Sequence, residues 1–217
     1  MKKIKAVIFD FDGVIADSVD IKTRAFAYLF RHYSKETVEA VVKYHVENGG
    51  QSRYIKFKHF YENILNKEYT DETGEKLAAE FSEFVFDEVV KCPYIKGARE
   101  FIEARHKDYM FFIVSGTPDD EIKLIVEQKR LSPYFKEVCG TPKKKGEWVG
   151  EILDKYNIVP SEAVFIGDAL DDYKGAIING CCFIGVVKSG AYNPYKNLKI
   201  DYIIEDLQNI EKIIKLL

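Results

Sequence analysis

The sequence predicts an α/β fold, a parallel sheet with helices on both faces, that carries an all-helical insertion after its first strand. Three observations point there. Ala6 to Phe9 are four consecutive apolar residues rich in strand formers, too short a run for a helix and suited to a strand buried on both faces. From about Asp17 to Lys91 there is no convincing strand, only apolar stripes at helical spacing. From Cys92 onward, short apolar runs alternate with helical patterns of about ten residues or more, which implies right-handed crossovers and a parallel sheet. At 217 residues the chain is long for one ordinary domain and short for two, as a core with a sizeable insertion would be.

Within the insertion, Ala25, Phe26, Leu29 and Phe30 form one stripe, Phe57, Phe60, Tyr61, Ile64 and Leu65 a second, and Leu77, Phe81, Phe84, Val85 and Val89 a third. Their spacing is that of packing in a small helical bundle. The loop Glu47 to Arg53 separates the first two stripes; its paired glycines end one helix and Ser52 opens the next. After Cys92 the expected order is a helix near Ala98 to Arg105 and a strand at Tyr109 to Val114. A helix opened by Thr117-Pro118-Asp119-Asp120 comes next, with Thr117 as hydroxyl cap. A short segment near Glu137 to Gly140, a helix carrying Trp148, Ile152, Leu153 and Tyr156, and a strand at Ala163 to Ile166 follow. The chain closes with a helix near Tyr173 to Ile178, strands at Cys182 to Val187 and Asp201 to Ile204, and a helix marked by Leu207, Ile210, Ile213, Ile214 and Leu217.

Composition excludes several classes of function. Forty-seven per cent hydrophobic and 31 % charged residues describe a globule with a real core. The net charge of −3 gives no polybasic field to recruit nucleic acid. The apolar run after the basic N-terminus stops at Asp10, short of a signal-peptide core and far short of a membrane span, so a cytoplasmic protein is expected. Four cysteines lack C-x-x-C spacing and are expected to be buried thiols.

Chemistry concentrates where strands end, which in open α/β sheets is where ligands bind. Asp10 and Asp12 close the first strand two residues apart, with Gly13 permitting a tight turn after them. Two carboxylates so placed repel unless a cation separates them, and Mg²⁺ takes oxygen ligands while leaving positions for a phosphate oxygen. Solubilising a strand end is the plainer role for the pair. Ser115, Gly116 and Thr117 offer hydroxyls and backbone N–H groups at a helix entrance, either as an anion site or as simple caps. Lys143, Lys144 and Lys145 stand just before a helix, where one ammonium would neutralise a phosphate or all three form a solvated turn. Asp168 follows Gly167 at another strand end, with Asp171 and Asp172 just beyond.

The order of these segments resembles the four motifs of the haloacid dehalogenase-like superfamily: D-x-D-G-V at Asp10 to Val14, Ser115-Gly116, a lysine near Lys145, and G-D-x-x-x-D at Gly167 to Asp172. The resemblance covers the whole chain and is strongest to the phosphoglycolate phosphatase and β-phosphoglucomutase branch. It implies a Rossmann-like core, residues 1–16 and 92–217, under a mobile helical cap, residues 17–91. It also implies that Asp10 is the nucleophile and Asp12 the acid and base. Mg²⁺ would be held by Asp10, the Asp12 carbonyl and Asp168, with Asp172 behind them. Ser115, the Gly116 N–H and Lys145 would hold the phosphoryl oxygens, Lys145 being favoured as the last lysine before the helix and Lys144 kept in reserve. A phosphatase acting on a small phosphorylated metabolite leads.

A phosphomutase is the nearest rival, because Gly50-Gln51-Ser52-Arg53 is similar to the mutases' G-x-S-R cap loop, whose arginine grips a second phosphate. Lys22 stands where the mutase pattern has histidine, and the lysine loop lacks its S-K-P-x-P. A 2-haloacid dehalogenase needs no metal and usually lacks a second aspartate, here Asp12. A non-catalytic binding module is the remaining class, and the intact motifs argue against it. Arg53, after paired glycines, is expected to have its guanidinium free to bind the part of the substrate that is not transferred. The motifs do not specify the substrate or the oligomeric state.

Overall fold

The computed structural model describes residues 3–217, so the first two positions of the core segment 1–16 lie outside the described residues. Six strands, β1 (Ala6–Phe9), β2 (Met110–Pro118), β3 (Glu137–Thr141), β4 (Ala163–Gly167), β5 (Cys182–Val186) and β6 (Ile203–Ile204), form one sheet in the order β3-β2-β1-β4-β5-β6. Every pairing is parallel. The strand order reverses between β1 and β4. Ligand crevices open at such a reversal, beyond the carboxyl ends of the strands, and here those ends deliver Asp10 and Asp168.

The sheet is covered on both faces, as its continuous apolar strands require. Alternation assigns Val7, Phe9, Phe111, Ile113, Val164 and Ile166 to one apolar layer and Ala6, Ile8, Phe112, Val114 and Phe165 to the other. The helices, in chain order, are α1 (Val19–Leu29), α2 (Lys35–Glu47), α3 (Arg53–His59), α4 (Asp71–Lys91), α5 (Ala98–Arg105), α6 (Asp119–Gln128), α7 (Lys145–Lys155), α8 (Leu170–Ile178) and α9 (Ile210–Ile214). Helices α5, α6 and α9 bury Ile102, Ile125 and Ile210 in the first layer, while α7 and α8 bury Ile152 and Ala176 in the second.

Between β1 and α5 the described chain forms no strand longer than an isolated bridge; α1 to α4 occupy it. Ser34 and Thr70 cap α2 and α4 by accepting hydrogen bonds from the N–H groups of Thr37 and Thr73. Phe26 is the hub of these helices, its ring centroid 5.7 Å from Phe57, 5.6 Å from Phe60 and 4.5 Å from Phe81. Such ring contacts add to the burial of large apolar surface.

The structure departs from the sequence expectations in detail. The stripe from Phe57 to Leu65 is not one helix: α3 ends at His59 and a single wide turn, Phe60–Ile64, follows, closed by Leu65 N–H donating to the Phe60 carbonyl at 2.9 Å. The last strand keeps only two residues at the sheet edge, and α9 is confined to Ile210–Ile214, with Leu207 buried ahead of it. Cys139 and Cys181 are buried but Cys92 and Cys182 are half-buried, and all four are free thiols. Among the described residues no helix is long and apolar enough to cross a membrane.

Phe26→Ala should cost about 3–5 kcal/mol, the range for emptying an aromatic core position, whereas Ile178→Ala, at a side chain 82 % exposed, should stay within about 0.5 kcal/mol. Urea unfolding of the two variants checks the contrast; equal losses would mean Phe26 is not the hub its contacts describe.

Candidate active site

The site begins where β1 stops. Asp10 leaves the sheet with its N–H still donating to the Ile166 carbonyl of β4 at 2.9 Å, and its Oδ1 accepts the next residue's N–H, that of Phe11, at 2.7 Å. These two bonds fix the carboxylate against the strand end. Gly13 then turns the chain at φ +79°, a conformation that disfavours a side chain, and a Cβ there would lie 2.2 Å from Asp168 Oδ2. The glycine therefore serves both the turn and the close approach of the second carboxylate.

Asp12 does not share a face with Asp10, because the strand has already ended. Its Oδ1 accepts from Ser18 Oγ at 2.6 Å, and its Oδ2 accepts from Lys22 Nζ and, at 3.3 Å, from Thr117 Oγ1. Burial raises this carboxyl, but the Lys22 ammonium outweighs burial and holds it below the usual carboxylate range. Lys22 Nζ also donates to Thr117 Oγ1 at 2.8 Å. Thr117 is therefore no helix cap. β2 runs on through it, with Pro118 opposite Thr141 of β3, so α6 starts only at Asp119 and the hydroxyl faces the site instead. Ser115 is buried and its Oγ accepts the Thr117 N–H at 3.2 Å.

Of the three lysines before α7, Lys145 is the one that reaches the acids. It is the first residue of that helix, and its Nζ stands 3.0 Å from Asp10 Oδ1 and 2.6 Å from Asp172 Oδ1. Burial alone would lower its pKa, but Asp10 and Asp172 reverse the sign and leave it raised. Lys143 pairs with Glu151 and lies over the Trp148 ring, and Lys144 is the N-cap. Asp172 is fully buried, its Oδ2 accepting the Ala169 N–H at 3.0 Å. Tyr195 OH donates to the carbonyls on either side of Asp168, those of Gly167 at 2.9 Å and Ala169 at 3.3 Å. Gly116 lies against the inserted loop: a Cβ there would meet the Gly50 carbonyl oxygen at 2.8 Å.

Asp10, Asp168 and Asp172 each bring one carboxylate oxygen within 4.8 Å of the other two. Among the described residues only Lys145 is ion-paired with this group, and none donates a hydrogen bond to the Asp168 carboxylate. Burial pushes Asp10 up against the pull of Lys145, with repulsion from Asp12 adding to it; burial, then repulsion from Asp10 and Asp172, pushes Asp168 well above the usual range, and burial pushes Asp172 up, to about 7. A hard divalent cation with oxygen ligands is what such a donor set fits. The arrangement can orient one carboxylate as a nucleophile, hold a second with its own hydrogen-bond set, and bind an anion between Lys145, Ser115 and backbone N–H groups.

A cavity of about 440 Å³ covers Asp10, Asp12, Lys145 and Asp168, with Lys22, His45, Gly49, Gly50, Arg53 and Lys56 contributing its other wall. Arg53 lies there, but its guanidinium is not free. It grips Glu121 of α6 in a bidentate pair, Nη1 to Oε2 at 3.0 Å and Nη2 to Oε1 at 2.6 Å, and Nη1 donates to Ser82 Oγ at 2.6 Å. Only 4 % of Arg53 is exposed, so the pair locks α3 and α4 to α6 out of water.

Sequence reading missed Ser18, the Lys22 contact, His45 and Lys56. On an amphipathic helix each reads as a surface or capping residue; only the order of strands, which turns these helices toward Asp10, could have shown otherwise.

The family model described as haloacid dehalogenase-like hydrolase matches residues 7–186 of the chain. A phosphoglycolate phosphatase of Pasteurella multocida is 21 % identical over 99 % of this chain and all of its own length. One of Vibrio cholerae is 24 % identical, covering 99 % of this chain and 98 % of its own. Among solved structures, a HAD hydrolase, family IA, variant 3, from Entamoeba histolytica superposes with a TM-score of 0.77 at 19 % identity over 98 % of this chain and 99 % of that one. A HAD-hydrolase of Bacillus subtilis bound to magnesium gives 0.73 at 18 % identity, over 99 % of this chain and all of that one.

Two outcomes are expected. Millimolar Mg²⁺ should raise the unfolding temperature in a thermal scan, since a cation bound only by the folded state stabilises it, and Asp168→Asn should remove most of that rise; a variant with an undiminished rise would place the cation elsewhere. Arg53→Ala should destabilise the fold by about 3–5 kcal/mol in urea unfolding, because it strands Glu121 as a buried charge, and Arg53→Ala/Glu121→Leu should recover part of that loss.

Proposed function

The chain belongs to the haloacid dehalogenase-like hydrolase family, and on that premise we propose that it is a Mg²⁺-dependent phosphatase acting on a small phosphomonoester, of the phosphoglycolate or sugar-phosphate type. The observation that carries the reading is Asp10: a buried carboxylate, oriented by the Phe11 N–H and Lys145, beside Asp168 and Asp172. The names of the relatives from Pasteurella multocida and Vibrio cholerae support the choice of substrate class.

In this reading residues 1–16 and 92–217 form the catalytic core and residues 17–91 the cap. Asp10, the Asp12 carbonyl and Asp168 would hold Mg²⁺, with Asp172 behind them, and a bound ion would offset charge on the phosphoryl oxygens. A carboxylate oxygen of Asp10 attacks phosphorus, the bond to the leaving oxygen breaks, and Asp12 supplies the proton that oxygen needs. Water then attacks phosphorus, Asp12 takes its proton, and the Asp10 carboxylate is regenerated. Lys22 favours the ionised, basic form of Asp12; a dianionic ester placed beside that carboxyl offsets the ammonium and raises its proton affinity for the acid step. Ser115, the Gly116 N–H and Lys145 steady the transferred group, which is most of what phosphoryl transfer asks of a protein. The partner is a small phosphorylated metabolite in the cytoplasm. Against a phosphomutase stand Lys22 in place of the histidine and the engagement of Arg53 with Glu121, which already neutralises that guanidinium with a carboxylate of the protein.

Phosphate release should be measured over phosphoglycolate, sugar phosphates, nucleotides and p-nitrophenyl phosphate. Activity should vanish in EDTA and return with Mg²⁺; full activity without metal would remove this mechanism. Asp10→Asn should abolish turnover of every ester and leave the fold intact. Asp12→Asn should slow release while a phosphoryl adduct builds up on Asp10 with a good leaving group, and mass spectrometry finding the adduct on another residue would contradict the assignment.

A further inference from the structure

Six cationic side chains of lysine or arginine line the cavity, and five of them, Lys22, Arg53, Lys145, Lys174 and Lys188, face a carboxylate. Among the described residues Lys56 is ion-paired with none. It is only 2 % exposed, and its Nζ bonds to His45 Nδ1 at 3.0 Å and to the Gly49 carbonyl at 3.0 Å. An ammonium has three donors and no acceptor, so one N–H is left over. Burial, and then the Lys22 ammonium, bring its pKa down to about 7. Burying a cation without a counter-ion is costly, and this one sits across the cavity from the acids of the core.

His45 completes the picture. Since the Lys56 ammonium can only donate, His45 Nδ1 accepts and the ring proton is on Nε2, which is buried with no partner. Burial and Lys56 hold the imidazole neutral, and the Phe26 ring, 4.6 Å away between centroids, fixes its plane. His45 and Lys56 border the same cavity as Asp10 and Asp12.

We propose that Lys56, its Nζ held by His45 and the Gly49 carbonyl, is the subsite for a carboxylate on the part of the substrate that is not transferred, which makes the preferred substrate a phosphomonoester of a short hydroxy acid. A single ammonium with one N–H left over matches a monoanionic carboxylate better than a second phosphate dianion, and it gains no ion pair from a neutral alcohol tail. The inference rests on the phosphatase reading for the site of transfer, but its test does not need turnover. In the Asp10→Asn background with Mg²⁺ present, calorimetric titration should show phosphoglycolate binding on the order of 10- to 100-fold more tightly than 2-hydroxyethyl phosphate. Adding Lys56→Met should bring the two within about threefold of each other, by weakening phosphoglycolate alone. Equal affinities in the Asp10→Asn parent, or a preference that survives Lys56→Met, would overturn the subsite. The parent comparison decides alone if the double variant does not fold. Hydrolysis of p-nitrophenyl phosphate by the unaltered enzyme reports on the phosphatase reading separately, since that ester carries no carboxylate.

Discussion

The structure depends on a concentration of buried negative charge. Asp10, Asp168 and Asp172 come together within 4.8 Å with one lysine among them, an arrangement that costs free energy in a low-dielectric setting and is retained only where a cation or a reaction makes use of it. Local structure is shaped around it. Gly13 must lack a side chain because Asp168 occupies the space, α7 begins at Lys145 so that its ammonium reaches two acids, and the Tyr195 hydroxyl holds the carbonyls flanking Asp168.

A second constraint closes the site from above. The Gly50 carbonyl lies against Gly116, and the backbone of Gly50 passes so near α8 that a Cβ there would stand 2.9 Å from Ala169 Cβ. The Arg53–Glu121 pair fastens the same segment to α6. The insertion thereby roofs the cavity over Asp10, and the lower dielectric of a covered site strengthens interactions with a developing charge. A buried ion pair between two packed bodies is a specific fastener, because separating them exposes both partners and forming it in any other register strands a charge.

Much of the fold was legible because β1, β2, β4 and β5 are short apolar runs and the helices between them keep their stripes. The acids were legible for a related reason: a parallel sheet places ligand groups at strand ends, so Asp10 and Gly167-Asp168 identify themselves by where the apolar runs stop. Thr117 was misread as a cap because Thr-Pro-Asp-Asp is a helix start by local rules, while pairing of Pro118 with Thr141 is a tertiary fact. Lys22, His45 and Lys56 had no signal of their own. A lysine on an amphipathic helix reads as solvent-facing, and only the docking of the insertion over the strand ends converts its exposed face into a cavity wall. Arg53 was legible as a cavity residue but not as a paired one, since Glu121 is 68 positions away on a different helix.

The charges inside the cavity fall into two sets, the acids and lysine at the strand ends and the cations of the opposite wall. In the reading proposed above the transferred group meets Asp10, Asp168 and Lys145, groups that set the reaction and say little about the rest of the substrate. The opposite wall is formed by α1, α2, α3 and the loop between the last two. There Lys22 is committed to Asp12 and Arg53 to Glu121, which leaves Lys56, buried beside a neutral His45, as the charge whose counter-ion the protein does not itself provide. A site that buries polar groups without partners discriminates against ligands that fail to satisfy them by more than an apolar wall could, so selectivity in this molecule resides in what its insertion leaves unpaired.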